Sequence, residues 1–161
     1  MPTLPSWVFD DADHVFMGEA LVEAAGAGGR GEVPVGAVLV LDGDIIARSG
    51  NRREELQNPT AHAEILVLGA AGNEIGDWRL DGGTLYVTLE PCPMCLEACR
   101  QARVALIIWG ASDPVMGACG SVLDAAEDPR LNPPIAQRGG LLGDASSELL
   151  KEFFAKRRLS S

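Results

Sequence analysis

The chain is short of positive charge. It has two lysines in 161 residues, and 13 Lys+Arg stand against 23 Asp+Glu, a formal net charge of -10. A field of that sign argues against a protein that coats nucleic acid or anionic membrane at large, and leaves room only for a local basic patch. Aromatic residues are 5% of the chain, so core volume must come from Val, Leu, Ile and Ala. Only two histidines occur, His14 and His62. No apolar run approaches the roughly 20 residues that a bilayer crossing needs; the longest candidate, residues 102–111, is strand-sized. The first 16 residues lack the basic and apolar regions of a secretory signal. These absences point to a cytoplasmic protein with no membrane partner, whose four cysteines (Cys92, Cys95, Cys99, Cys119) stay reduced.

Hydrophobic residues at 47% and charged residues at 22% are ordinary for a globular chain. The length fits one domain, read here as residues 13–161 behind a Pro- and Asp-rich arm over 1–12. Apolar spacing predicts a helix over 13–27, closed by a Gly-rich stretch at 26–31. Residues 33–41 and 45–47 read as strands joined by the turn Asp42-Gly43. A polar loop over 50–59 follows, then a helix over 61–71 capped by Thr60. Residues 84–89 read as a strand, 93–103 as a helix opened by Pro91 and Pro93, and 104–109 as a buried strand. A long irregular stretch with one helical turn near 122–126 leads to a last helix over 147–158, with Leu149, Leu150, Phe153 and Phe154 on its apolar side. That order is an α/β domain with helices packed on one sheet.

Chemistry concentrates at two helix starts. Thr60-Ala61-His62-Ala63-Glu64 opens one, and Pro91-Cys92-Pro93-Met94-Cys95 opens the other. Residues i and i+3 share a helical face, so Cys92 and Cys95 can meet one ion, and the positive end of the helix favours their thiolates. One His and two Cys give three ligands for Zn²⁺ and leave a fourth position for water, the arrangement of a catalytic site. The ion lowers the pKa of that water, and Glu64 is placed to carry its proton. Because residues i and i+2 point about 200° apart on a helix, His62 and Glu64 must sit in the first turn. A C-x-x-C alone also fits a redox pair or half of a structural zinc site. Cys99 reads as a small buried apolar residue and His14 as a surface or packing residue; Cys119 has no assigned role.

H-A-E followed by P-C-x-x-C resembles the signature of the zinc-dependent cytidine/adenosine deaminase superfamily. Within it, the sequence resembles the bacterial tRNA-specific adenosine deaminases over residues 16–158. The matching pieces are Glu32-Val33-Pro34-Val35-Gly36-Ala37-Val38, Gly50-Asn51-Arg52, the segments around His62 and Cys92, Gly117-Ala118-Cys119-Gly120-Ser121 and Phe153-Phe154-Ala155-Lys156-Arg157-Arg158. The resemblance implies a three-layer α/β/α sandwich of the cytidine deaminase type, a mixed sheet with helices on both faces. It implies a homodimer with one zinc per chain, held by His62, Cys92 and Cys95. Its reaction would be hydrolytic deamination of adenosine to inosine at the wobble position of a tRNA anticodon stem-loop, by attack of a zinc-bound hydroxide on C6, with Glu64 as catalytic proton carrier. Asn51 resembles the family residue that holds the base or ribose, Asp113 one that contacts the ribose, and Val35 part of the apolar wall around the base. Simple turn chemistry also explains Asn51 and Asp113.

The chain departs from the family in its charge. A run like A-R-D-x-K is common there, and here Ala111-Ser112-Asp113-Pro114-Val115 lacks both basic residues. The remaining positive cluster is Lys151, Lys156, Arg157 and Arg158, of which the last three are candidate RNA contacts. Phosphate contacts usually supply much of nucleic-acid affinity. Two other readings therefore stand beside the first: a guanine-deaminase-like enzyme acting on a small free base or nucleoside, and a non-catalytic zinc-stabilised module.

Overall fold

The computed structural model describes residues 9–160. Helix α1 (Asp11–Gly29) leads to strands β1 (Gly36–Leu41) and β2 (Asp44–Gly50), short helix α2 (Arg53–Leu56) and helix α3 (Ala63–Ile75). Then come β3 (Thr84–Leu89), α4 (Pro93–Gln101), β4 (Leu106–Ala111), β5 (Ala136–Gly139) and α5 (Gly143–Ser160). The sheet order is β2-β1-β3-β4-β5. β1 is antiparallel to both its neighbours, whereas β3, β4 and β5 run parallel, so the sheet is mixed.

Period-two alternation in the strands divides the core in two. Ala37, Leu39, Leu85, Val87, Ile107 and Trp109 face one way, onto Ala63, Val67 and Ala71 of α3 and Leu96 and Cys99 of α4. Val38, Val40, Tyr86 and Ile108 face the other way, onto Met17 and Ala20 of α1 and Leu141 before α5. Both faces are thus covered by helices, which is the three-layer sandwich expected from the sequence.

Several boundaries differ from the sequence reading, each for a local reason. The arm predicted over 1–12 lies mostly outside the described residues, and Asp11 and Ala12 already belong to α1. The Asp13 N–H donates to Asp10 Oδ1 at 2.8 Å and the Asp10 N–H to Asp13 Oδ2 at 3.0 Å, a reciprocal cap that starts the helix two residues early. Thr60 does not cap α3. Its N–H and hydroxyl both donate to Asn58 Oδ1, and His62 takes the cap position. The predicted 50–59 loop contains α2, whose Glu54 and Glu55 N–H groups donate to the buried Glu32 carboxylate at 2.9 and 2.8 Å.

No helical turn forms near 122–126. The buried Arg100 guanidinium claims the carbonyls of Ala125 and Pro133, each at 2.6 Å, and Ala126 at 3.4 Å, and Cys119 bridges to Asp124 instead. β5, which the sequence reading missed, is a four-residue edge strand, and Trp109 Nε1 of β4 donates to its Gln137 side chain at 2.8 Å. α5 starts four residues before the predicted 147. Arg100 therefore ties the later part of the irregular segment, at Ala125, Ala126 and Pro133, to α4. Arg100→Ala is expected to lower unfolding stability by about 3–5 kcal/mol in urea titrations, since it strands buried carbonyls; a loss below about 1 kcal/mol would show that the segment is held by something else.

Candidate metal centre and active site

The three candidate ligands come from two helix starts that converge. His62 is the N-cap of α3, with φ -69° and ψ 152°, and Cys92 is the N-cap of α4, with φ -74° and ψ 169°. Neither side chain caps its own helix. Both point instead at a common spot, which Cys95, two residues into α4 from Pro93, reaches from the helix's first turn. His62 Nδ1 lies 3.4 Å from Cys95 Sγ and 3.8 Å from Cys92 Sγ. All three donor atoms fall within 4.8 Å of one another. Tetrahedral zinc, with bonds near 2.05 Å to N and 2.3 Å to S, spaces such donors about 3.6–3.8 Å apart. The donor set and its spacing thus fit one zinc ion per chain.

Electrostatics single out Cys92 within the pair. Cys92 is pulled down to about 4, first by its pairing with the Cys95 thiol and then by His62. The same pairing, reinforced by burial, pushes Cys95 up. One thiolate is therefore available at neutral pH at the positive ends of two helices. Cys99 and Cys119 differ from Cys92: burial raises both, Cys119 to about 12, and both are enclosed in the core. His14 lies at the surface, with Nδ1 2.8 Å from the Asp10 carbonyl.

Glu64 is the second residue of α3 and 4% exposed. Burial, the largest effect on it, raises its carboxyl above the ordinary range. Because His62 has extended rather than helical backbone, the 200° separation expected within a helix does not apply, and both side chains reach the same cavity. That cavity has a volume of about 380 Å³, near the lower end of the ~300–1,000 Å³ of ligand sites. It reaches two of the metal donors, His62 and Cys92, as well as Glu64. A fourth coordination position therefore has open space to face.

The other walls include Val35, Asn51 and Asp113, all singled out from the sequence. Asn51 Nδ2 donates to the Val33 carbonyl at 3.3 Å, and its Oδ1 accepts the Arg53 N–H at 3.2 Å. Asp113 Oδ1 accepts the N–H groups of Val115 at 3.0 Å and Met116 at 3.2 Å. Both residues thus shape turns and line the cavity. Lys156, Arg157 and Arg158 do not line it. They are exposed at the end of α5, where Lys156 shares a groove with Pro34, between the cavity-wall residues Val33 and Val35. Sequence reasoning missed Arg53, Glu90 and Met116, which also line the cavity. Arg53 follows Asn51 by two positions and Glu90 precedes Cys92 by two, so adjacency to a motif was their only signal.

A family model described as the cytidine and deoxycytidylate deaminase zinc-binding region matches residues 10–111. The chain belongs to this deaminase family. A tRNA-specific adenosine deaminase of Agrobacterium fabrum (strain C58 / ATCC 33970) is 50% identical over 144 residues, 89% of this chain and 95% of that one. A tRNA-specific adenosine deaminase of Bacillus subtilis (strain 168) is 45% identical over 146 residues, 91% of each chain. A solved structure from a study of A-to-I editing by tRNA:A34 deaminases at the wobble position of transfer RNA superposes with a TM-score of 0.82 at 50% identity, covering 84% of this chain and 99% of that one. Guanine deaminase from Nitrosomonas europaea superposes with a TM-score of 0.75 at 25% identity, covering 96% of both chains.

Family and donor set together make the deaminase a zinc-dependent hydrolase. Metal analysis of the purified protein should find about one zinc per chain. Cys92→Ala and Cys95→Ala should each lose most of it, and Cys99→Ala should keep it. Retention of a full equivalent by Cys95→Ala would remove that residue from the ligand set.

Proposed function

We propose that this deaminase, as one domain over residues 13–161, hydrolyses adenosine to inosine and ammonia at the wobble position of a tRNA anticodon in the cytoplasm. The observation that carries the reading is 45–50% identity over about nine-tenths of the chain to tRNA-specific adenosine deaminases, against 25% for the guanine deaminase. The cavity suits it: it is large enough for a base with its ribose, and the Arg53 guanidinium on its wall is the only cation among the described lining residues.

Zinc, when bound, lowers the pKa of a water and so supplies the nucleophile at neutral pH. The remaining work falls to side chains. Glu64, buried beside the ligands, takes a proton from the attacking water and delivers it to the base, then assists the departing ammonia. Its raised pKa suits a group that must both accept and return a proton. Asn51 and Asp113 hold the flipped nucleotide by base or ribose, and Val35 packs on the base. Arg53 and the cluster Lys156, Arg157 and Arg158 offer phosphates a local positive surface within an acidic protein.

A homodimer completes the reading. Trp78 is exposed beside a groove of about 1,010 Å³ along α3 and α4, lined also by Leu68, Gly72 and Ala98. A second copy seated there would lie against the helices whose first turns hold the metal ligands.

Incubation with an arginine-type anticodon stem-loop should yield inosine, while free guanine should release no ammonia. The opposite pattern would favour the guanine-deaminase-like reading. Glu64→Gln should retain zinc and lose roughly 10²–10⁴-fold in kcat. Full activity in that variant would remove Glu64 from the mechanism.

A further inference from the structure

Glu90 has no part in the chemistry above, yet the residue is 2% exposed and lines the cavity, between the end of β3 and Cys92. An ionised carboxylate only accepts, with about four lone-pair sites. Here four donors converge on it, and all come from one segment. Oε1 accepts the Asp113 N–H at 3.1 Å and the Ser121 hydroxyl. Oε2 accepts the N–H groups of Cys119 at 3.0 Å and Ser121 at 3.1 Å. Among the described residues no Lys or Arg forms an ion pair with it. The wrap is close: a Cβ on Gly117 would lie 2.4 Å from the Glu90 carboxyl carbon. On the other side, the Glu90 N–H donates to Ala111 O at 2.8 Å, and Ala118 N–H donates to Pro91 O at 2.8 Å.

The segment held in this way, residues 113–121, carries Asp113 and Met116 to the cavity. The residue that holds it is two positions from a metal ligand. We infer that Glu90 is a positioning residue: it locks the substrate-contacting segment 113–121 onto the strand end that delivers Cys92, and so fixes where Asp113 meets the nucleotide relative to the metal. The inference rests on Asp113 as a substrate contact.

The test is a double-mutant cycle on the zinc-loaded enzyme with the anticodon stem-loop. Glu90→Gln keeps the shape but turns an amide NH₂ toward groups that are themselves donors. It should keep about one zinc per chain and raise KM by about tenfold or more, with a smaller change in kcat. Asp113→Ala should also raise KM, and the double variant should be little worse than the worse single one, because contacts that act as a unit are not additive. Additive losses, an unchanged KM in Glu90→Gln, or loss of zinc in that variant would overturn the inference while leaving the role of Asp113 standing. An unchanged KM in Asp113→Ala would overturn the substrate contact and the inference together. Should Glu90→Gln fail to fold, Ser121→Ala decides. It removes one donor from the exposed end of the network and should raise KM a few-fold, non-additively with Asp113→Ala; an unchanged KM would overturn the inference.

Discussion

The active site depends on two helices being forced to start at the same place. His62 and Cys92 occupy equivalent N-cap positions, and extended backbone there swings each side chain forward of its helix rather than along it. α3 and α4 can converge because they pack on one face of the sheet, through Val67 and Ala71 on one helix and Leu96 and Cys99 on the other. Small residues at Ala63, Ala71 and Cys99 let those helices lie close. The ligand triangle is thus a product of core packing. Its tolerance is a few tenths of an ångström, set by bond lengths to the metal, so the packing beneath it has to be equally definite.

Two buried carboxylates extend that order outward from the metal. Glu32 accepts the N–H groups of Glu54 and Glu55, and so fixes the stretch bearing Asn51 and Arg53. Glu90 does the same for the stretch bearing Asp113. Neither is paired with a cation among the described residues; backbone N–H groups, joined at Glu90 by the Ser121 hydroxyl, supply the compensation. Part of the formal charge of -10 is therefore held inside the protein by loop backbone.

This distinction explains what could be read from the sequence. The ligands and Glu64 lie in short motifs whose chemistry is local, a C-x-x-C spacing and a carboxylate two residues after a histidine, whereas Val35, Asn51 and Asp113 were legible only through the resemblance to the deaminases. The strands before and after those motifs were legible because a sheet covered on both faces gives dense Val, Leu and Ile runs. Arg100, Glu32 and Glu90 were not legible in their roles. Each acts on residues more than 20 positions away, and nothing in a single sequence marks a charged residue as buried. The missed β5 and the false turn near 122–126 share that cause, since Arg100 and the edge of β4 decide the conformation there. α2 was missed because four residues have no periodicity to detect; it exists because Glu32 caps it from outside.

The same division of labour bears on how one scaffold serves different substrates. On the proposed mechanism, zinc held by His62, Cys92 and Cys95 would supply a nucleophile and Glu64 a proton relay, requirements common to any purine whose amine is replaced by oxygen. They cannot by themselves distinguish a nucleotide in an RNA loop from a free base. On the proposed reading, discrimination comes from the other residues that line the cavity, Asn51, Arg53 and Asp113 among them. Asn51 and Asp113 stand on connections between regular elements and Arg53 opens the four-residue α2, and two buried carboxylates hold these stretches to the rigid core. A change of substrate could therefore proceed by altering the loops that Glu32 and Glu90 anchor, without disturbing the packing that brings three metal ligands to one point.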